Sequence, residues 1–130
     1  MTGLFAQESA NLAAIQTAVT NFMDYGDQQD AAALEAILHP EFRTVANRLF
    51  GAEEVSLMSK DLYLQLIRDK KIGGDERQLY ILDLAVVGNN ATVKAVFQGA
   101  TLQFTTFLTL VKSTEGDWTI IGDFPHIEKV

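Results

Sequence analysis

Leu79-Tyr-Ile-Leu-Asp-Leu-Ala-Val-Val87 runs into Gly88-Asn89-Asn90, and three more stretches of the same kind follow. Ala91 to Gln98 stops at Gly99. Leu102 to Lys112 stops at Ser113-Thr114-Glu115-Gly116, and Asp117 to Phe124 stops at Pro125. Each run is rich in β-branched and aromatic residues, which suit a pleated, half-buried surface. Each break carries residues that favour turns. Four consecutive strands with tight connections are expected over the second half of the chain.

The first half carries the helical period instead. Leu12, Ile15, Val19, Phe22 and Met23 recur at helical spacing, so a helix is expected from about Gln7 to Asp24, ended by Tyr25-Gly26. Asp27 or Asp30 can cap a second helix whose face is Ala31, Leu34, Ile37 and Leu38. Pro40 pushes His39 out of the α region and stops it. Glu41 to Phe50 is expected as a short strand and Gly51 to Met58 as a loop. Ser59 then caps a third helix from about Lys60 to Lys71, with Leu62, Tyr63, Leu66 and Ile67 inward and Gly73-Gly74 after it. The expected order is α-α-β-α-β-β-β-β. Helices before strands argue for an α+β fold, three N-terminal helices packed on one face of a curved, mostly antiparallel sheet. Such an arrangement can enclose an apolar pocket.

Composition bounds the function. The 130 residues are expected to form a single domain, 1–130, with 48% hydrophobic and 21% charged residues. The net charge of −7 opposes nucleic acid, whose phosphates repel an acidic surface. The basic run Arg68-Asp69-Lys70-Lys71 falls at an expected helix C-terminus, where cations complement the dipole. No apolar run approaches the roughly 18 residues needed to span a bilayer. Cysteine is absent, which removes disulfides, thiolate nucleophiles and cysteine-ligated metals. With no signal-like N-terminus, the expected location is cytoplasmic. His39 and His126 are the two imidazoles, each beside a proline, and neither suggests a zinc site; no metal or cofactor is expected.

Local strings then sharpen the fold: Phe22-Met-Asp24, His39-Pro40, Met58-Ser59-Lys-Asp61, Lys71-Ile-Gly-Gly74, Ile81-Leu-Asp83, Gly88-Asn89-Asn-Ala91, Gln103-Phe-Thr105, Leu108-Thr-Leu-Val-Lys112 and Asp117-Trp-Thr-Ile120. Together they resemble the nuclear transport factor 2-like (NTF2-like) superfamily, an α+β cone, and within it the branch described as "putative lumazine-binding". The resemblance covers nearly the whole chain and rests on structural punctuation. It is specific for the fold rather than the chemistry, and does not imply that lumazine is bound. Ketosteroid isomerases of this superfamily use a tyrosine on the first helix, a carboxylate base on the first strand and a second acid on a central strand. The resemblance aligns those positions with Val19, Ala46 and Thr106, none of which has the required chemistry. The branch often has Asp-Tyr where this chain has Thr106-Phe107, and a lysine on the last strand where this chain has Asp123.

The remaining constellation is a pocket. Leu102, Phe104, Thr106, Leu108 and Leu110 share one strand face by the period of two, and Gln103, Thr105, Phe107, Thr109 and Val111 share the other. Phe97 and Phe124 are expected to join the first set. Thr44 and Arg48 share the parity of Ala46, and Tyr63 projects from the third helix. The expected ligand-binding set is Thr44, Arg48, Tyr63, Phe97, Phe104, Thr106, Asp123 and Phe124, around a small organic molecule. The alternative to an occupied pocket is that these side chains fill the core. The alternative function is an isomerase or dehydratase, with Tyr63 as donor, Arg48 as oxyanion partner and Asp123 or Asp83 as base. Arg48 is expected at the pocket mouth, where its planar fork would meet a carboxylate, enolate or carbonyl, or else in an ion pair with Asp83, Glu53 or Glu54. The face carrying Thr105, Phe107, Thr109 and Val111 is too apolar to leave in water, and a homodimer through the sheet is expected. Trp118 and Ile120 can extend either face.

Overall fold

The computed structural model describes residues 3–130, with side chains from residue 8 onward. Helix α1 covers Gly3–Asp27, longer than expected at both ends. Ile15, Ala18, Val19, Phe22 and Met23 are buried, alternating steps of three and one, which lay a single stripe on the sheet. The helix runs through Gly26, whose carbonyl accepts from Gln29 N and Gly74 N, both at 3.1 Å. Helix α2, Ala31–Ile37, is capped by Asp30, whose carboxylate accepts from Ala33 N at 3.0 Å. Asp27, the other expected cap, is engaged elsewhere. Leu38, expected in this helix, is already extended and opens strand β1, Leu38–Asn47.

Residues 55–59 correct the expected loop. Val55–Ser59 is strand β2, paired antiparallel with β1 from Arg43↔Ser59 to Asn47↔Val55. It lies at the sheet edge and is mostly exposed, so it carries no burial period for a sequence reading to detect. Helix α3, Lys60–Arg68, begins as expected: Ser59 Oγ accepts from Leu62 N at 3.2 Å, with Asp61 in the first turn and Arg68 in the last. Its buried residues are Leu64 and Ile67; Leu62, expected inward, is exposed. The expected four strands follow as β3 (Gln78–Val87), β4 (Asn90–Gln98), β5 (Leu102–Lys112) and β6 (Trp118–Lys129), the last running through Pro125, its expected stop, to keep pairing with β5.

The six strands form one mixed sheet in the order β2-β1-β6-β5-β4-β3. All neighbours are antiparallel except β1 and β6, which run parallel. The helices cover one face. Phe42, Val93, Ala95, Phe97, Leu108, Leu110 and Ile120 meet the α1 stripe together with Leu34, Leu64 and Ile67 in the core. Asn11 pins the far end of α1 to the sheet by accepting from Trp118 Nε1 and Lys112 Nζ, both at 3.1 Å. Among the described residues, no helix is long and apolar enough to cross a membrane.

Two bulges decide which side chains reach the helix side. In β6, Gly122 pairs with Thr109 and Ile120 with Leu110, so Ile121 is the extra residue. Trp118 and Ile120 therefore point inward, and after the bulge so do Asp123, Pro125 and Ile127. In β3 the register shifts between Ile81 and Asp83, which leaves Asp83 on the exposed side opposite Lys94.

Candidate functional site

A cavity of about 410 Å³ opens between α1, α3 and the inner face of the sheet. Its walls are largely apolar: Phe22, Ile67, Phe97, Leu102, Phe104 and Ile127, with Leu49, Phe50 and Met58 from the β1–β2 hairpin. Phe22 stacks against Tyr63 with centroids 6.1 Å apart, and Tyr63 meets Phe42 at 5.4 Å in a tilted pair.

Asp123 is the polar centre. It is 7% exposed, on the inner face of β6. Thr106 Oγ1 on β5 donates to its Oδ1 at 2.5 Å, and Thr44 Oγ1 on β1 donates to its Oδ2 at 3.3 Å. Strand order explains the convergence, because β6 lies between β1 and β5. Burial raises the Asp123 carboxyl from its ordinary 3.8 to about 6; the two threonine hydrogen bonds and the Arg77 charge pull it back down without cancelling desolvation. Such a group takes up and releases a proton near neutrality. The Tyr63 phenol lines the same cavity, and burial, with Asp123 nearby, pushes it above its ordinary range. It stays a neutral hydrogen-bond donor at any working pH.

Arg77 was not legible as a site residue, yet it completes the wall. Its Nε donates to Asp27 Oδ1 at 2.6 Å, its backbone N donates to Asp27 Oδ2 at 3.0 Å, and Nη2 reaches the Met23 carbonyl at 3.3 Å. Both side chains of the pair are about nine-tenths buried. The guanidinium carbon lies 4.8 Å from the Phe104 ring centroid and 5.1 Å from that of Phe97. In the sequence Arg77 is a lone arginine between the Gly73-Gly74 turn and β3, with no local pattern that marks a site residue. Its partner, at the end of α1, is fifty residues away.

Of the expected site residues, the fold brings six together on this cavity: Thr44, Tyr63, Phe97, Phe104, Thr106 and Asp123. It does not bring Arg48 or Phe124. Strand β1 ends at Asn47, and Arg48 is left-handed (φ 53°), so the strand period that aimed it inward stops one residue short. Arg48 is exposed, and among the described residues it forms no ion pair with Asp83, Glu53 or Glu54. The hairpin offers the cavity Leu49 and Phe50 instead. Phe124 follows the β6 bulge, so it points outward beside Phe107, its cross-strand partner on β5. Val19 and Ala46 are buried and carry no acid-base chemistry.

Comparison with known proteins agrees with this architecture. A 1.69 Å crystal structure of an NTF2-like protein of unknown function from Silicibacter pomeroyi superposes with a TM-score of 0.80 at 23% identity, covering 93% of this chain and 98% of that one. An NTF2-like protein of unknown function from Shewanella baltica gives a TM-score of 0.80 at 17% identity, covering 92% and 95%. A ketosteroid isomerase-like protein from Erwinia carotovora atroseptica gives 0.71 at 16%, covering 92% and 95%. At these identities the likeness shows the fold alone. No curated protein matches the sequence. Residues 10–124 match a family described as "Putative lumazine-binding". Three helices on a six-stranded mixed sheet, with a family match across that span, establish that the chain belongs to this family within the NTF2-like fold.

Proposed function

We propose that this protein binds a small organic molecule in the cavity between its helices and its sheet. The observation that carries this reading is Asp123: an ionisable carboxylate held by two threonines inside an apolar cavity, with room beside it. A side chain that only filled core would leave no such volume, and a carboxylate buried with hydroxyl partners but no counter-charge costs stability that an apolar core residue would not. Thr44, Thr106, Tyr63 and Asp123 orient the ligand, and Phe97 and Phe104 supply its apolar contact. Arg77 joins this set, and Arg48 and Phe124 leave it. A thermal-shift screen with aromatic and polycyclic compounds tests the reading. A ligand at a hundred times its Kd should stabilise the fold by about 2.7 kcal/mol. If no compound raises the midpoint in wild type, the cavity is core volume. If hits stabilise Asp123→Ala equally, the site lies elsewhere.

A second reading, an isomerase- or dehydratase-type enzyme, has one observation in its favour. Asp123, raised to about 6, is a usable base beside a neutral phenol donor, Tyr63. Asp83 is exposed and drops out as the base. Proton exchange from an acidic C–H of a bound ligand, followed by NMR in D2O, separates catalysis from binding: exchange lost in Asp123→Asn supports the enzyme.

We further propose a homodimer through the outer sheet face. Phe107 and Phe124, cross-strand neighbours, are 56% and 48% exposed there, with Tyr80 and Leu82 on β3 also exposed. Sedimentation returning a 14.3 kDa species at micromolar concentration would refute it.

A further inference from the structure

The charges around the cavity do not balance, and the imbalance selects a ligand class. Five other titratable groups line or border the cavity: Tyr63 from α3, Arg77 before β3 with its partner Asp27 at the end of α1, and Lys71 and Asp75. Asp27 neutralises Arg77 through the 2.6 Å contact, and the guanidinium is covered by the Phe97 and Phe104 rings. Lys71 and Asp75 are exposed, of opposite sign, and screened by water. Tyr63 is neutral. Among the described residues, Asp123 is therefore the one buried charge lining the cavity without an ion-pair partner; its two hydrogen-bond partners are hydroxyls that donate but carry no charge. An anion entering here would meet a carboxylate in an apolar environment, where like charges repel strongly. A cation would supply the missing partner in a cavity lined by the aromatic side chains of Phe22, Tyr63, Phe97 and Phe104, two of which already hold the Arg77 guanidinium over their rings.

We infer that the cavity selects an aromatic or arylalkyl amine, bound with its ammonium or N–H paired to Asp123, and discriminates against carboxylates and phosphates. The inference rests on the small-molecule-binding reading above. It reverses the anion recognition that Arg48 would have supplied, since Arg48 lies outside the cavity. The Tyr63 hydroxyl remains to donate to a carbonyl or ether elsewhere on the same ligand.

Three probes of one skeleton test it: 1-naphthylmethylamine, 1-naphthalenemethanol and 1-naphthoic acid, titrated calorimetrically into wild type and Asp123→Asn at pH 8. In wild type the amine is expected to bind at least tenfold tighter than the alcohol, with the acid weakest. In Asp123→Asn the gap between amine and alcohol should shrink to about threefold or less. A second measurement needs no variant. Moving wild type from pH 8 to pH 5 protonates Asp123 and should cut the amine preference by up to about tenfold. Acid binding equal to or tighter than amine, or an amine preference that survives both the substitution and the pH change, overturns the inference while leaving ligand binding intact. If neither the three probes nor any compound of the thermal-shift screen binds, the binding reading itself fails and the inference falls with it.

Discussion

Asp123→Asn offers the sharpest test of the site because it can be read on the free protein. In the folded state the carboxyl titrates near 6, against an ordinary 3.8, and its cause is burial. Between those values the folded chain holds a proton that the unfolded chain has released. Stability from this group is therefore fully present below pH 3.8 and is lost as pH rises through 6. The full difference, about two pKa units, is worth about 3 kcal/mol. Between pH 5 and pH 8 the portion lost is about 1.4 kcal/mol. Asparagine cannot ionise, so that slope should vanish. At pH 8 the variant also escapes the burial of a charge. Against this, its amide keeps one acceptor oxygen but sets an NH2 donor against the other threonine hydroxyl, which must turn to accept, and this offsets about 1–3 kcal/mol. The offset is the same at every pH, so the pH dependence is the clean observable. Urea unfolding followed by the fluorescence of Trp118, the single tryptophan, measures both proteins at pH 5, 6, 7 and 8. The stability of Asp123→Asn relative to wild type should rise by about 1.4 kcal/mol across that range. A difference flat to within about 0.4 kcal/mol, a typical additivity error, would mean that Asp123 is solvated and that the cavity is not the apolar site described here.

The other expectations are structural. Thr106→Val removes the short hydrogen bond that holds Asp123 ionised, so the midpoint of that pH dependence should move upward, with a loss of about 1.5–3 kcal/mol at pH 8; an unmoved midpoint contradicts the contact. Arg77→Met strands the buried Asp27 carboxylate and should cost about 3–5 kcal/mol in urea unfolding, whereas Arg77→Met with Asp27→Leu should recover most of it; no recovery in the double variant would show that Arg77 acts through packing alone. Gly73→Ala places a Cβ 2.4 Å from the Gly26 carbonyl oxygen at a backbone φ of +81°, so its thermal midpoint should fall by several degrees, about 2–4 °C for each kcal/mol; an unchanged midpoint would mean that the 73–77 loop is not packed on the end of α1.

The sequence by itself determined the elements whose signals are local. The apolar stripe of α1, the Asp30 and Ser59 caps and the glycine- and asparagine-marked turns of the last four strands are written in neighbouring residues. Short-range backbone preference and burial period dictate them, and the α+β fold follows. It also put Thr44, Thr106, Phe97 and Phe104 toward the cavity, because strand parity holds wherever the strand is regular, and Tyr63 through the period of α3; Asp123 was expected there too, but together with Phe124, its neighbour on the opposite face. What only the tertiary structure decided lies where regularity breaks or where partners are distant in sequence. The extra residue Ile121 reverses parity along β6, turning Phe124 outward and Asp123 into the centre of the site. The left-handed Arg48 ends the strand that was to aim it inward. Edge strand β2 has almost no buried side, so no period marks it, and its pairing with β1 forms it. Arg77 acquires its role from Asp27, fifty residues earlier, and from two rings on β4 and β5. A period of two cannot report the one residue that interrupts it, and an ion pair has no signature in the sequence between its ends; both become determinate when the sheet curls and the helices close over it.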